Sequence, residues 1–387
     1  MTAPVPNPGI LDIAPYVPGD SHISGAAAPK KLIKLSSNET PLGPSPAAIE
    51  AYLAAAQSLE RYPDGQAVQL RAAIADVLGL DAKRIICGAG SDEVLTMLAQ
   101  AYLQPGDEAI HTTHGFLVYP IAIKSRGATA VIAPETNLTA DVDAILSCVT
   151  PRTRMVFLAN PNNPTGTMLP TTEIDRLRAG LRPGIILVLD GAYAEYVDDE
   201  AHTHARDMVE QRDDTVMTRT FSKIHGLAAL RLGWGYGPPD MIAVLNRIRG
   251  PFNVSAPALA AGTAAIKDVS HWQAARQHND TELAWLPTAF EQLGIGVTPS
   301  AANFLLLHVG GRDGQRAEAL DVFLKQRRIL LRKVGAYGLP DALRMSIGTR
   351  AENEAVVAAI ADFIGKTDNT QNEARDTQSA LAGQAAE

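Results

Sequence analysis

From about residue 46 to about residue 240 the chain alternates short, β-branched apolar runs with stretches whose apolar positions recur at helical spacing. The runs Arg84–Cys87, Ala128–Ile132, Met155–Ala159, Ile185–Leu189 and Thr215–Thr218 predict strands buried on both faces. Between them, Val94, Leu95, Leu98, Ala101 and Tyr102 follow the 3.6-residue period and predict a helix over Ser91–Leu103. Ser45-Pro46 has the form of an N-cap followed by proline in the first turn, opening a helix through about Leu59. Strands and helices in alternation, joined by short connections, predict an α/β domain with a mostly parallel central sheet flanked by helices.

The texture changes at Pro257. A helical stretch covers roughly 257–293, interrupted near 268–271. After it come the apolar run Asn303–Val309, a helix near Arg316–Arg328, the runs Ile329–Val334 and Leu343–Ile347, and a helix over Ala351–Ile364. These predict a smaller α+β domain. Residues 1–45, rich in Pro and Gly and with little periodicity, predict an arm that joins it. The small, polar residues 367–387 predict a disordered tail. The expected division is therefore arm 1–45, large domain 46–256, small domain 257–366 and tail 367–387.

Composition narrows the function classes. Of the 387 residues 46% are hydrophobic and 20% charged, as in ordinary soluble proteins, and the length suffices for two packed subdomains. The formal charge of −8, from 34 basic against 42 acidic residues, argues against a nucleic-acid or anionic membrane surface. Cys87 and Cys148 are too few for a disulfide framework or a zinc site and read as reduced, buried thiols. The first residues lack the basic and apolar regions of a signal peptide, and no apolar run approaches the ~20 residues that span a bilayer. A cytoplasmic location is the expectation. His111 and His114, expected in a loop, and His202 and His204, expected in a polar connection, have no cluster to complete a metal set, so no metal is expected.

Four short segments carry the chemistry. Gly88-Ala89-Gly90-Ser91-Asp92-Glu93 ends a predicted strand and opens a helix. Its glycines allow a tight turn, and the free amides of Ser91 and Asp92 can hold a phosphate. Glu93 stands where a dinucleotide fingerprint needs its third glycine, and a plain strand–turn–helix junction explains the segment equally well. Asn160-Pro161-Asn162-Asn163-Pro164-Thr165-Gly166 follows the next strand and reads alone as a turn. Asp190, in Asp190-Gly191-Ala192-Tyr193, closes a hydrophobic strand where open α/β sheets bind ligands. A protonated pyridine nitrogen or a helix N-terminus would give it a partner. In Thr218-Arg219-Thr220-Phe221-Ser222-Lys223, with Arg231 eight residues beyond, a lysine follows two hydroxyls past a strand end. An apolar, cationic setting would make it a Schiff-base nucleophile; otherwise it is a solvated lysine.

In order, the asparagine before Pro-Thr-Gly, the Asp-x-Ala-Tyr, the Ser-Lys and the arginine eight residues on resemble fold-type I aminotransferases. The histidinol-phosphate aminotransferase group is the most similar. Leu35-Ser36-Ser37-Asn38-Glu39-Thr40-Pro41-Leu42-Gly43-Pro44-Ser45-Pro46, Arg61-Tyr62-Pro63-Asp64, the glycine loop and Leu343-Arg344-Met345-Ser346-Ile347-Gly348-Thr349 resemble that group as well. The likeness runs from about Ile13 to Ile364. It implies a pyridoxal 5'-phosphate enzyme in which Lys223 carries the cofactor as a Schiff base and moves a proton. It further implies Asp190 on the pyridinium nitrogen, Asn163 and Tyr193 on the phenolic oxygen, and Phe116 stacked on the ring. Ser91, Asp92, Thr220, Ser222 and Arg231 would hold the phosphate. Arg344 would take the substrate carboxylate and Arg332 the anionic end. Tyr16 would close from the arm, Asn38 would line the substrate pocket, and Tyr62 would reach the neighbouring site of a homodimer. Gly191 and Ala89 depart from the group's commoner Glu or Ala and Asn.

The expected reaction is ping-pong transfer of an amino group between L-histidinol phosphate and 2-oxoglutarate. The alternatives are an aromatic amino-acid aminotransferase with the same catalytic set and a phosphothreonine decarboxylase, which resembles the group in fold and cofactor. A cofactor-binding transcriptional regulator would need a DNA-binding module that the short, proline-rich residues 1–45 do not supply.

Overall fold

The computed structural model describes residues 4–22, 31–197, 199–310 and 315–365. Seven strands form the large sheet: β1 (Ile85–Gly88), β2 (Glu108–Thr112), β3 (Thr129–Ala133), β4 (Thr153–Ala159), β5 (Ile186–Asp190), β6 (Thr215–Thr220) and β7 (Gly233–Tyr236). Their order across the sheet is β1-β7-β6-β5-β4-β2-β3. The pairings among β2 to β6 are parallel, and β7 runs antiparallel to both its neighbours. The fold class is thus the expected one, a mainly parallel sheet with helices on both faces.

Period-two alternation splits the strands between two cores. Cys87, Val156, Leu158, Leu187, Leu189 and Met217 face one cluster. Ile86, Met155, Phe157, Ile186, Val188 and Val216 face the other. The first is covered by helices Pro46–Ala55, Val68–Leu78, Thr171–Gly180 and Ala256–Lys267, the second by Ser91–Tyr102, Val118–Lys124 and Pro239–Ile248. Ser45 caps the first of these helices by accepting from the Ala48 amide, with Pro46 in the first turn.

The interruption expected near 268–271 falls at Asp268, which caps helix Val269–Leu283 through the His271 amide. Ahead of it, Ala258, Ala261, Ala265 and Ile266 belong to the large-sheet core, so packing of that unit continues through Lys267. Beyond lies a second sheet of β8 (Gly296–Thr298), β9 (Phe304–His308), β10 (Arg332–Lys333) and β11 (Ala342–Ser346), antiparallel throughout in the order β8-β9-β11-β10. Helices Leu286–Glu291, Gln315–Gln326 and 350–365 close its own core around Phe290, Leu305, Leu320, Leu343 and Ile360. The arm joins this part of the molecule, Ile33–Lys34 pairing in parallel with Ile329–Leu330.

Three details differ from the sequence reading. Strands β2 and β7 were not among the expected runs, because Glu108-Ala109-Ile110-His111-Thr112 is half polar and Gly233-Trp234-Gly235-Tyr236 carries two glycines. His111 therefore lies in a strand and not a loop. His204 lies in helix Asp199–Glu210, not in a connection, and pairs with Asp175 at 2.8 Å. The tail expected at 367–387 lies outside the described residues.

Candidate active site

The carboxyl ends of β4, β5 and β6 and the loop after β1 open into one cavity of about 280 Å³, roofed by the arm and the second sheet. It is lined by every expected site residue except Tyr62. Strand register explains part of this convergence. Ala159 stands opposite Asp190, and Asp190 opposite Thr218, so one row across three strands reaches the crevice together.

Asp190 is buried, and its carboxylate accepts from the Tyr119 hydroxyl at 2.7 Å and the Thr218 hydroxyl at 3.1 Å. Burial pushes its pKa above the ordinary carboxylate value, against the opposing pull of those hydrogen bonds. A buried carboxylate served by two neutral hydroxyls is still short of positive charge, which a protonated ring nitrogen supplies. Lys223 is half-buried below the arm, its ammonium nitrogen 3.1 Å from the Ser37 carbonyl and 5.7 Å from the Tyr193 ring centre. Burial, reinforced by the Arg344 guanidinium, lowers its pKa to about 8. A lysine so placed has an appreciable neutral fraction near neutral pH and can act as a nucleophile. The Tyr193 hydroxyl accepts from the Asn38 side-chain amide at 2.8 Å. Asn38 holds a left-handed backbone, φ 57°, and its amide is anchored on Ser346 at 2.7 Å.

The loop between β1 and helix Ser91–Tyr102 forms a second feature. Gly90 has φ +88°, and a Cβ there would lie 2.6 Å from an Arg231 terminal nitrogen. A Cβ on Gly233 would run into the Ser91 amide. These glycines let β7, the helix start and Arg231 approach closely, and the helix start, its free first-turn amides, Thr220, Ser222 and Arg231 line one end of the cavity. Arg231 donates to Ser222 at 3.2 Å and lies 3.3 Å from the Asp92 carboxylate.

At the opposite end, Arg332 and Arg344 stand directly across from one another on β10 and β11. Like charges at facing positions repel, and both guanidiniums are buried. Arg344 donates to the Asn163 side chain, and at 3.0 Å to the Ser36 carbonyl, while its buried Nε has no partner among the described residues. Burial and the neighbouring Arg332 depress its pKa. Arg332 donates to the Val17 carbonyl at 2.7 Å. This paired cationic end is suited to an anion. Tyr16 and Phe116 meet edge to face between the two ends, ring centres 6.4 Å apart.

The donor set fits pyridoxal phosphate: a hollow lined by amides, hydroxyls and an arginine for the phosphate, a buried carboxylate for the ring nitrogen, a lysine for the carbonyl carbon. Tyr62 lies elsewhere, largely exposed and stacked on Phe252 at 4.6 Å. Sequence reading overlooked Tyr119 and Thr218. Both had a signal: Tyr119 follows Phe116 by three residues at a helix start, and Thr218 shares a strand face with Thr220 two positions on. Among the described residues no three His, Cys, Asp or Glu side chains cluster as metal ligands.

Comparison with known proteins agrees with this geometry. The profile of the aminotransferase class I and II family matches residues 30–360. The chain is 57% identical to a histidinol-phosphate aminotransferase of Rhodopseudomonas palustris (strain BisB18) over 366 residues, 95% of this chain and 100% of that protein. It is 54% identical to one from Paramagnetospirillum magneticum (strain AMB-1) over 365 residues, 94% and 100% of the two chains. Among solved structures, histidinol-phosphate aminotransferase from Sinorhizobium meliloti in complex with pyridoxal-5'-phosphate superposes with a TM-score of 0.82. That match has 26% identity over 87% of this chain and 92% of the other.

Proposed function

The chain belongs to the class I and II aminotransferases, and from that premise we propose that it is a pyridoxal-phosphate-dependent transaminase acting on L-histidinol phosphate and 2-oxoglutarate in histidine biosynthesis. The observation that carries the reading is one cavity with a lysine and a buried carboxylate at its centre, a phosphate hollow at one end and two facing arginines at the other.

Ser91, Asp92, Thr220, Ser222 and Arg231 would hold the cofactor's phosphate, Asp190 its ring nitrogen, Asn163 and Tyr193 its phenolic oxygen, and Phe116 its face. When bound, the cofactor supplies an electron sink for the bond that breaks at the substrate α-carbon. Lys223, with its lowered pKa, would take the proton from the substrate α-carbon on its amine nitrogen. Asp190 would keep the ring nitrogen protonated; Tyr119 and Thr218 hold the carboxylate in place. Tyr193 is fixed by Asn38. Arg344 and Arg332 bind the phosphate of one substrate and a carboxylate of the other, and Tyr16 shields the reacting carbon from water. The two acids occupy the same end in turn, as a ping-pong exchange requires.

We place the division between the two domains at Asp268, beyond the expected 256/257 boundary, because Ala258, Ala261, Ala265 and Ile266 pack in the large-sheet core, with the arm counted in the smaller domain. The active form is a homodimer. Exposed Ile49, Tyr52 and Leu53 on helix Pro46–Ala55, and the exposed stacked pair Tyr62 and Phe252, favour burial against a second copy, with Tyr62 serving the partner's phosphate end. A cytoplasmic location suits a biosynthetic enzyme whose two cysteines are free.

The test is the visible absorption spectrum of purified enzyme. Addition of histidinol phosphate converts the bound-cofactor band to that of the amino form; a band indifferent to histidinol phosphate and responsive to aromatic amino acids redirects the substrate. Carbon dioxide released from phosphothreonine identifies a decarboxylase.

A further inference from the structure

We propose that Glu93 is a positioning residue for the cofactor phosphate: its carboxylate fixes the glycine loop whose neighbouring amides do the binding. The inference rests on reading the hollow at Gly88–Asp92 as the phosphate site.

The loop has an intrinsic weakness. Two glycines flank Ala89, and glycine gives up more conformational freedom on ordering than any other residue. Something must hold the loop, or the first-turn amides of the helix will not stay aimed at one point. The Gly90 amide is occupied by the Gly88 carbonyl at 2.8 Å. The Ala89 amide is turned back onto Glu93 Oε2 at 2.6 Å. Neither therefore faces a ligand, which leaves the Ser91 and Asp92 amides for that role. Glu93 is the third residue of the helix, the position from which a glutamate reaches back to cap the chain entering the helix.

The same oxygen of Glu93 also accepts from the Asn253 side-chain amide at 2.7 Å, and Asn253 donates in addition to the Cys87 carbonyl at 3.1 Å. One carboxylate oxygen, through Asn253, thus ties the loop to the end of β1 and to the segment that carries Phe252. This explains the sixth position of the Gly-x-Gly-Ser-Asp-Glu segment, where a dinucleotide fingerprint has glycine: the side chain is needed as an anchor. Its charge acts in two directions. It suits the helix N-terminus but repels an incoming phosphate, so the proposal assigns the benefit to the hydrogen bonds and not to the charge.

The test is titration of cofactor-stripped full-length enzyme with pyridoxal phosphate and, separately, with pyridoxal, which lacks the phosphate. Affinity is read from the absorbance of the bound form, independently of turnover. Glu93→Ala lowers affinity for pyridoxal phosphate about tenfold and leaves that for pyridoxal within about twofold. Glu93→Gln, which keeps an acceptor oxygen and drops the charge, retains the wild-type preference. Asn253→Ala lowers the preference by roughly threefold and carries the test should Glu93→Ala not fold. An unchanged preference in Glu93→Ala, or in Asn253→Ala if only that variant folds, overturns the inference; so does an equal loss for both ligands, which would make Glu93 a fold residue. Wild-type enzyme that binds both ligands alike overturns the reading of the hollow itself, and the inference with it.

Discussion

The two ends of the cavity are built in opposite ways. Within one chain, the end proposed for the phosphate is drawn from one unit, the large sheet, and consists of backbone amides, hydroxyls and an arginine whose side chain is half exposed. The other end is assembled from three: Tyr16, Ser36 and Asn38 from the arm, Asn163 from the loop after β4, and Arg332 and Arg344 from the second sheet. Its contacts run between units, from Arg344 to Asn163 and Ser36, from Arg332 to Val17, and from Asn303 to the Asn38 carbonyl. One end is preorganised for an occupant that stays; the other exists only when three segments meet, and suits occupants that exchange. The bare charge follows the same division. Neutral donors and a solvated guanidinium tolerate vacancy, whereas two buried, facing guanidiniums gain most from a bound anion.

The largest test of this division is Lys223→Ala, which sits between the ends. Turnover falls by at least about a thousandfold, because the proton has no carrier. Cofactor phosphate binding persists, since the hollow is intact; equilibrium dialysis against pyridoxal phosphate measures it. Retained turnover would break the assignment of Lys223, and lost binding would break the independence of the phosphate end. Next in size is Arg344→Ala. Steady-state assays should give a kcat/KM for glutamate lower by about a hundredfold, carried mainly by KM, while cofactor affinity stays within about twofold. An equal fall in both would mean that the two ends act as one.

The same contrast governs what was legible in the chain. Residues at the phosphate end are contiguous, and turn chemistry at strand ends announces them: Gly88 to Asp92, Thr220 to Lys223. The large sheet was legible for a similar reason, since its central strands are continuous apolar runs. Strands β2 and β7 escaped because polar residues and glycines dilute their pattern; β7 can carry glycines where it must pass the Ser91 amide closely. At the substrate end Arg332, Arg344, Tyr16 and Asn38 were reached through family likeness alone. Nothing local ties Arg332 to Arg344 twelve residues away, and only the register of β10 on β11 brings them opposite. Nor does spacing connect Asn38 with Tyr193, 155 residues apart, whose hydrogen bond depends on the arm folding back. Tyr119 sits between these cases, local to Phe116 yet meaningful only through Asp190.

The smallest expected effect joins the two ends electrostatically. Lys223 has a pKa of about 8 through burial first and the positive charge of Arg344 second. A protonated amine cannot attack a carbonyl. The rate at which cofactor-stripped enzyme captures pyridoxal phosphate should therefore rise with pH and level off above about 8, well below the 10.5 of an ordinary lysine. Arg344→Ala removes one like charge, so the protonated amine becomes easier to form and the midpoint moves up. At pH 7 this slows capture by roughly threefold. Burial remains in the variant, which keeps the midpoint below the ordinary value. Stopped-flow absorbance from about pH 6 to 10 separates the two causes. A midpoint that returns fully to 10.5 would assign the whole depression to Arg344, and one that does not move would place the substrate end outside the field of the lysine.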